Sequence, residues 1–210
     1  MLIQMPAISF AYEMAEADIM ERPPRNPTKD RLVNRGLIFF SYLQVGFIQV
    51  CGGFCVYFTL MMHNGFMPDR LLQLMRDWEN KDINDLEDSF GQEWSWDARK
   101  ALENSCHAAF FFSIVVSQWA DLFISKTRKN SFILQGIENR IMNISVLVTM
   151  TILFAAYIPG LSWVLKLVGP RMEMQLVALP FAWLLIVYDE LRRWAIRKWP
   201  GGLVYRETYF

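Results

Sequence analysis

Soft metal ligands are scarce in this chain: 210 residues hold three cysteines and two histidines. Cys51 and Cys55 lie four apart in an apolar run, so a helix puts both on one face, toward lipid or a neighbouring helix. No His or further Cys is near them, which argues against a metal pair. An odd count without framework spacing excludes a disulfide-stapled secreted domain. His63 and His107 are far apart in sequence and read as surface residues. Net charge is missing too, with 21 basic residues against 21 acidic. No overall field attracts nucleic acid, and none is expected as a partner. The Gly-rich phosphate loop, GxSxG and HExxH are all absent, so nothing here reads as catalytic. Residues 1–11 lack a basic n-region and are too short to span, so no signal peptide is read there.

What the chain does have is apolar bulk: 53% hydrophobic and 15% aromatic residues, gathered into four blocks. These run over about 37–62, 108–124, 141–158 and 174–191. The first carries no Asp, Glu, Lys or Arg and exceeds the ~20 apolar residues a span needs. The third and fourth are short, and a buried helix of a soluble protein is the plainer alternative for each. Pro180 falls inside the fourth, tolerable where neighbours satisfy the freed carbonyl. The expected fold is an all-α membrane protein. Its four transmembrane helices form two hairpins with a long extracellular loop at 63–107, preceded by a cytoplasmic segment at 1–36. Basic residues set the sides. Residues 1–36, 125–140 and the tail are Lys/Arg-rich, whereas 63–107 carries ten acids against five bases. Both termini are therefore expected in the cytoplasm, with the bilayer as a partner and multi-pass localisation.

Asp121 is the most informative single residue. A carboxylate within a span costs about 2.5–3.5 kcal/mol on insertion scales and usually marks an ion or proton path. Gln118, three residues earlier, shares its face, and together they offer oxygens to a hard cation. The competing explanation is that Asp121 reaches water or pairs with Lys126. The acid run Asp82–Asp88 lacks EF-hand spacing and reads as a solvated loop face. Ser131, after Arg128-Lys129-Asn130, is a candidate phosphorylation site; the same basic stretch also reads as a stop-transfer cluster beside anionic headgroups. Asn143-Ile144-Ser145 matches a glycosylation acceptor but lies inside the third block.

Longer motifs in order carry a resemblance. Pro6-Ala7-Ile8-Ser9, Asp18-Ile19-Met20 and Pro24-Arg25-Asn26-Pro27 come first. Gln44-Val45-Gly46-Phe47-Ile48-Gln49 with Gly52-Gly53-Phe54 follows, then Ile83-Asn84-Asp85-Leu86-Glu87-Asp88-Ser89-Phe90-Gly91-Gln92-Glu93-Trp94. After these stand Gln118-Trp119-Ala120-Asp121-Leu122, Lys126-Thr127-Arg128-Lys129-Asn130-Ser131, Val187-Tyr188-Asp189-Glu190 and Glu207-Thr208-Tyr209-Phe210. This series resembles the C-terminal membrane region, spans seven to ten, of the P-type ATPase α subunits that transport sodium/potassium or proton/potassium. The resemblance covers essentially the whole chain from Met5.

The resemblance implies a plasma-membrane location and a β subunit held through a Ser-Tyr-Gly-Gln segment. That segment is matched here by Ser89, Phe90, Gly91 and Gln92, with Phe for Tyr. It implies a sodium-site role for the position of Asp121, and a small single-span regulatory subunit as a further partner. No cofactor is expected in this chain; the parent pump uses ATP and Mg, with Na, K or H as transported ions. Several departures stand out. The acids of the family's ninth span are replaced around Leu147 and Val148, the last residue is Phe210 where the family has Tyr, and residues 1–5 depart from the sixth-span pattern. The phosphorylated Asp-Lys-Thr-Gly motif is absent, so this chain is not expected to be an enzyme by itself. Two functions are weighed: the supporting C-terminal part of a pump α subunit, or a free-standing membrane protein that captures β subunits and regulates intact pumps. An independent channel or carrier is a third and poorer fit, with one intramembrane acid and no inverted repeat.

Overall fold

The computed structural model describes residues 4–15, 19–21, 24, 26, 33–128, 130–131, 136, 139–155, 158 and 176–208. The expected final hairpin at 159–173 and the last residue, Phe210, lie outside them. The described chain is mostly helical. In order it forms α1 (Gln4–Ser9), α2 (Arg35–His63), α3 (Pro68–Leu74), β1 (Leu86–Glu87), β2 (Glu93–Trp94), α4 (Trp96–Ser125), α5 (Arg140–Ala155), α6 (Leu179–Lys198) and α7 (Leu203–Thr208). Among the described residues α2 and α4 are long and apolar enough to cross a membrane; α5 is apolar but shorter.

The helix ends follow from capping chemistry. Asn34 opens α2, its Oδ1 accepting from the Leu37 amide at 2.7 Å. The other end of α2 closes in a Schellman arrangement: the Phe66 amide donates to the Met61 carbonyl at 3.0 Å and the Gly65 amide to that of Met62 at 3.1 Å. This turn needs the φ of +95° that Gly65 supplies. Its apolar pair, Phe66 and Met61, is buried. Ser95 caps α4 through the Ala98 amide at 3.3 Å, and Asn139 caps α5 through the amides of Ile141 and Met142, both at 3.1 Å. Within α2, residues Phe39–Val45 are wound as a π-helix, and the Gly46 amide reaches back five residues to the Ser41 carbonyl.

Helices α4 and α6 run past the blocks expected as spans, and the 63–107 connection is structured. Helix α4 begins at Trp96 rather than near 108, because Ser95 and Asp97 favour its N-terminus. Helix α6 begins at Leu179 and runs to Lys198, so Pro180 sits in the first turn, where its missing N–H costs nothing. The 63–107 connection is not a plain loop: it holds α3 and a two-residue antiparallel ladder, a minor departure from all-α.

The chain divides into two compact units. One comprises residues 1–49, 117–150 and 181–210; the other comprises 50–116 and 151–180. The second has its own core of Val56, Leu60, Met61, Phe66, Leu74, Leu86, Leu102, Cys106, Ala109 and Ala178. Phe66 is fully buried there, its ring 5.2 Å from those of both Trp78 and Trp94. The helices also expose apolar residues, among them Phe47, Phe54, Leu147 and Trp183.

Candidate functional site

In the unit containing residues 117–150, Gln118 and Asp121 are both half-buried on α4. Gln118 Nε2 donates to Gln49 Oε1 of α2 at 3.3 Å. Asp121 stands beside Ser125 and the same Gln49, so Gln49 joins the two expected residues. Among the described residues its buried Nε2 meets no acceptor at full hydrogen-bond geometry. Sequence reasoning named Gln49 only as the end of the Gln44–Gln49 motif and assigned it no role. The alternative partner for Asp121 is otherwise engaged: Lys126 Nζ pairs with Glu13 Oε1 at 2.9 Å and donates to the Gly136 carbonyl at 2.7 Å. Among the described residues no group of three or more His, Cys, Asp or Glu side chains is placed to hold a metal ion.

The same unit holds a buried charge cluster that sequence reasoning left unassigned. Asp189 is 1% exposed. It pairs with Arg192 at 2.8 Å and with Arg193 at 2.5 Å, at the i+3 and i+4 spacing that one helix face allows. Arg193 also donates to the Ile124 carbonyl, the Thr127 hydroxyl and the Asn130 carbonyl, closing the end of α4. Arg192 donates to the Thr208 carbonyl at 3.1 Å and lies 4.4 Å over the Phe40 ring. Beside it, Tyr188 donates to Gln44 Oε1 at 2.5 Å. One carboxylate thus organises the tail, the start of α2 and the exit of α4. Ser131, next to Asn130, is buried.

The 63–107 connection builds the second candidate site around the β1–β2 hairpin, in register Leu86 with Trp94 and Glu87 with Glu93. Asp88, read as part of a solvated acid run, is instead buried. Its Oδ1 accepts from the amides of Phe90 at 2.8 Å and Gln92 at 2.9 Å, and its Oδ2 from the Trp94 indole at 3.3 Å. Burial pushes its carboxyl up, but these donors, led by the Gln92 and Phe90 amides, outweigh it and hold the group below the ordinary carboxylate value. Ser89 is tied back as well: its Oγ accepts from the Met67 amide and its amide donates to the Gly65 carbonyl, both at 3.0 Å. Gly91 takes the turn with φ +81°. Ser89 and Gly91 therefore shape the tip, while Phe90 projects with 74% of its surface exposed and Gln92 is exposed beside it.

These features sit in a chain that belongs to the cation-transporting ATPase family: the family model described as "Cation transporting ATPase, C-terminus" matches residues 3–195. That family region is a membrane domain, and the chain is accordingly a membrane protein of the P-type ATPase class. Within the class it is similar to sodium/potassium-transporting ATPase α subunits. It is 49% identical over 207 residues to subunit alpha-2 of Bos taurus, covering 98% of this chain and 20% of that protein. Identity is 51% to subunit alpha-B of Artemia franciscana, over 98% of this chain and 21% of that protein. For subunit alpha-2 of Homo sapiens it is 48%, with 98% and 20% covered. The chain thus spans about a fifth of the length of these relatives.

Proposed function

We propose that this chain is the supporting C-terminal membrane part of a sodium/potassium-type pump and that it holds the β subunit through the hairpin tip Ser89–Gln92. The observation that carries this reading is the tip itself: a rigid turn, fixed from beneath by Asp88 and Ser89, that leaves a large aromatic exposed. Exposed aromatics on a pre-organised turn are what binding surfaces favour, because little entropy is lost on docking. In this reading residues 37–210 form four spans as two hairpins, with 63–107 outside the plasma membrane. Residues 1–36 and the tail are cytoplasmic. The exposed apolar residues of the helices meet lipid or neighbouring helices, and a small single-span subunit is a further partner. Asp121 and Gln118, with Gln49 between them, belong to the ion path. ATP hydrolysis, with its Mg, belongs to parts of a pump outside these residues. Phosphorylation at Ser131 requires that buried side chain to become exposed first.

Co-purification of the tagged chain with β subunit, beside a variant with Ser89–Gln92 all alanine, tests the reading. Retention by the wild type and loss by the variant is the expected result. Loss by neither, or retention by neither, removes the tip as the partner site.

A further inference from the structure

Arg99, in the first turn of α4, is fully buried, and among the described residues the groups that accept from it are backbone oxygens. Its Nη1 donates to the Asp77 carbonyl at 2.8 Å, and its Nη2 to the carbonyls of Asn80 at 3.1 Å and Ile83 at 2.5 Å. Residues 77–83 follow α3 without helix or strand. Their carbonyls have no ladder to enter, and a buried backbone oxygen must find a donor. The planar guanidinium supplies several in a fixed fork, so one side chain gathers three carbonyls of an irregular segment.

The consequence reaches the hairpin. Its two feet are residues 84 and 95, on either side of β1 and β2. The leading foot is tied to α4 twice, through Arg99 to Ile83 and through the Trp96 amide to Asn84 Oδ1 at 3.1 Å. The ammonium of Lys81 lies 4.9 Å over the Trp96 ring on the same stretch. We infer that Arg99 is a positioning residue for the proposed partner site: it anchors the segment that delivers β1, and so fixes where the Phe90 tip stands, without touching the partner. The inference rests on the reading of that tip as the β-subunit site.

The test uses the chain in lipid nanodiscs with three variants, Arg99→Met, Arg99→Lys and Phe90→Ala. Trypsin cleavage after the exposed Arg76 and Lys81 reports opening of the segment, and co-purified β subunit reports the tip. In R99M, cleavage at both positions rises about tenfold or more and β retention falls by a similar factor. R99K restores only part of each, because a point charge cannot span three carbonyls. F90A loses retention with cleavage unchanged. Wild-type cleavage in R99M, or full recovery in R99K, overturns the clamp. If R99M is cleaved faster yet keeps wild-type retention, the positioning role is overturned. If the wild type itself retains no β subunit, the partner reading fails, and the cleavage comparison alone decides whether Arg99 holds the hairpin.

Discussion

Replacing Asp189 by Asn keeps the shape of the side chain and removes the charge that two buried guanidinium groups share. Asp189 is 1% exposed, and the side chains of Arg192 and Arg193 are 7% and 0% exposed. Removing one partner of a buried ion pair costs about 3–5 kcal/mol. Both arginines keep other acceptors: Arg192 keeps the Thr208 carbonyl, and Arg193 keeps Ile124, Thr127 and Asn130. The lower end of the range, about 3 kcal/mol, is therefore expected. For a chain of this size about 2–4 °C of Tm accompanies each kcal/mol, so D189N should melt roughly 6–12 °C lower. Far-UV circular dichroism of the chain in nanodiscs measures this. A second variant, Arg193→Met, removes one of the stranded cations. The double variant D189N/R193M should then be about 1–3 kcal/mol more stable than the two single losses summed. A fall in Tm below about 2 °C for D189N, or strict additivity in the cycle, would refute the idea that this carboxylate is the hub.

Three further outcomes are expected. Phe90→Ala should weaken β-subunit retention by roughly thirtyfold, about 2 kcal/mol for an exposed aromatic anchor, while Tm stays within error; unchanged retention counts against the tip as a contact. Gly65→Ala should destabilise by about 1–3 kcal/mol, read from Tm, because the residue has φ +95° and a Cβ there runs into the Asp88 carboxylate. Asp88, whose folded-state value is depressed, adds stability that is full above the unfolded value of about 3.9 and is lost as pH falls through the lower folded value. Hydrogen-exchange protection of the Phe90 and Gln92 amides should therefore hold steady above about pH 4 and fall in stronger acid. In Asp88→Asn that acid step should vanish, and protection should be weaker even at neutral pH.

The long helices were legible because apolar runs without charge declare themselves, and α2 and α4 lie where such runs lie. Capping residues could have sharpened the boundaries: Ser95-Trp96-Asp97 announces the start of α4, and Asn139 that of α5. The buried charges were not legible. Asp189 with Arg192 and Arg193 has the spacing of an exposed amphipathic turn, and only the carbonyls of Ile124 and Asn130, more than sixty residues earlier, make it an interior cluster. Asp88 looked like one acid in a solvated run because its burial depends on Gly65 and Trp94, which sequence reading does not bring beside it. Arg99 was hidden for the same reason, since its acceptors are backbone oxygens, which any sequence supplies equally. That Gln118 and Asp121 share a helix face follows from their spacing, but the approach of Gln49 on another helix does not.

The π-helical stretch at Phe39–Val45 gives α2 room for a change of one residue in its length. A wide turn accommodates one residue more than an α-helix does over the same hydrogen-bonded step. Gln44 and Gln49 stand five residues apart, on either side of the point where the turn returns to α, and receive Tyr188 and Gln118 respectively. Deleting a single residue between 39 and 45 would let the stretch relax to an ordinary α-helix and keep every later backbone bond. Because the residue lost is the one the wide turn had absorbed, the side chains beyond it would keep their angular positions. Gln49 would still face Gln118, whereas the same deletion in an α-helical stretch would turn every later side chain by about 100°, so the wide turn lets this segment differ in length by one residue without moving the groups it presents.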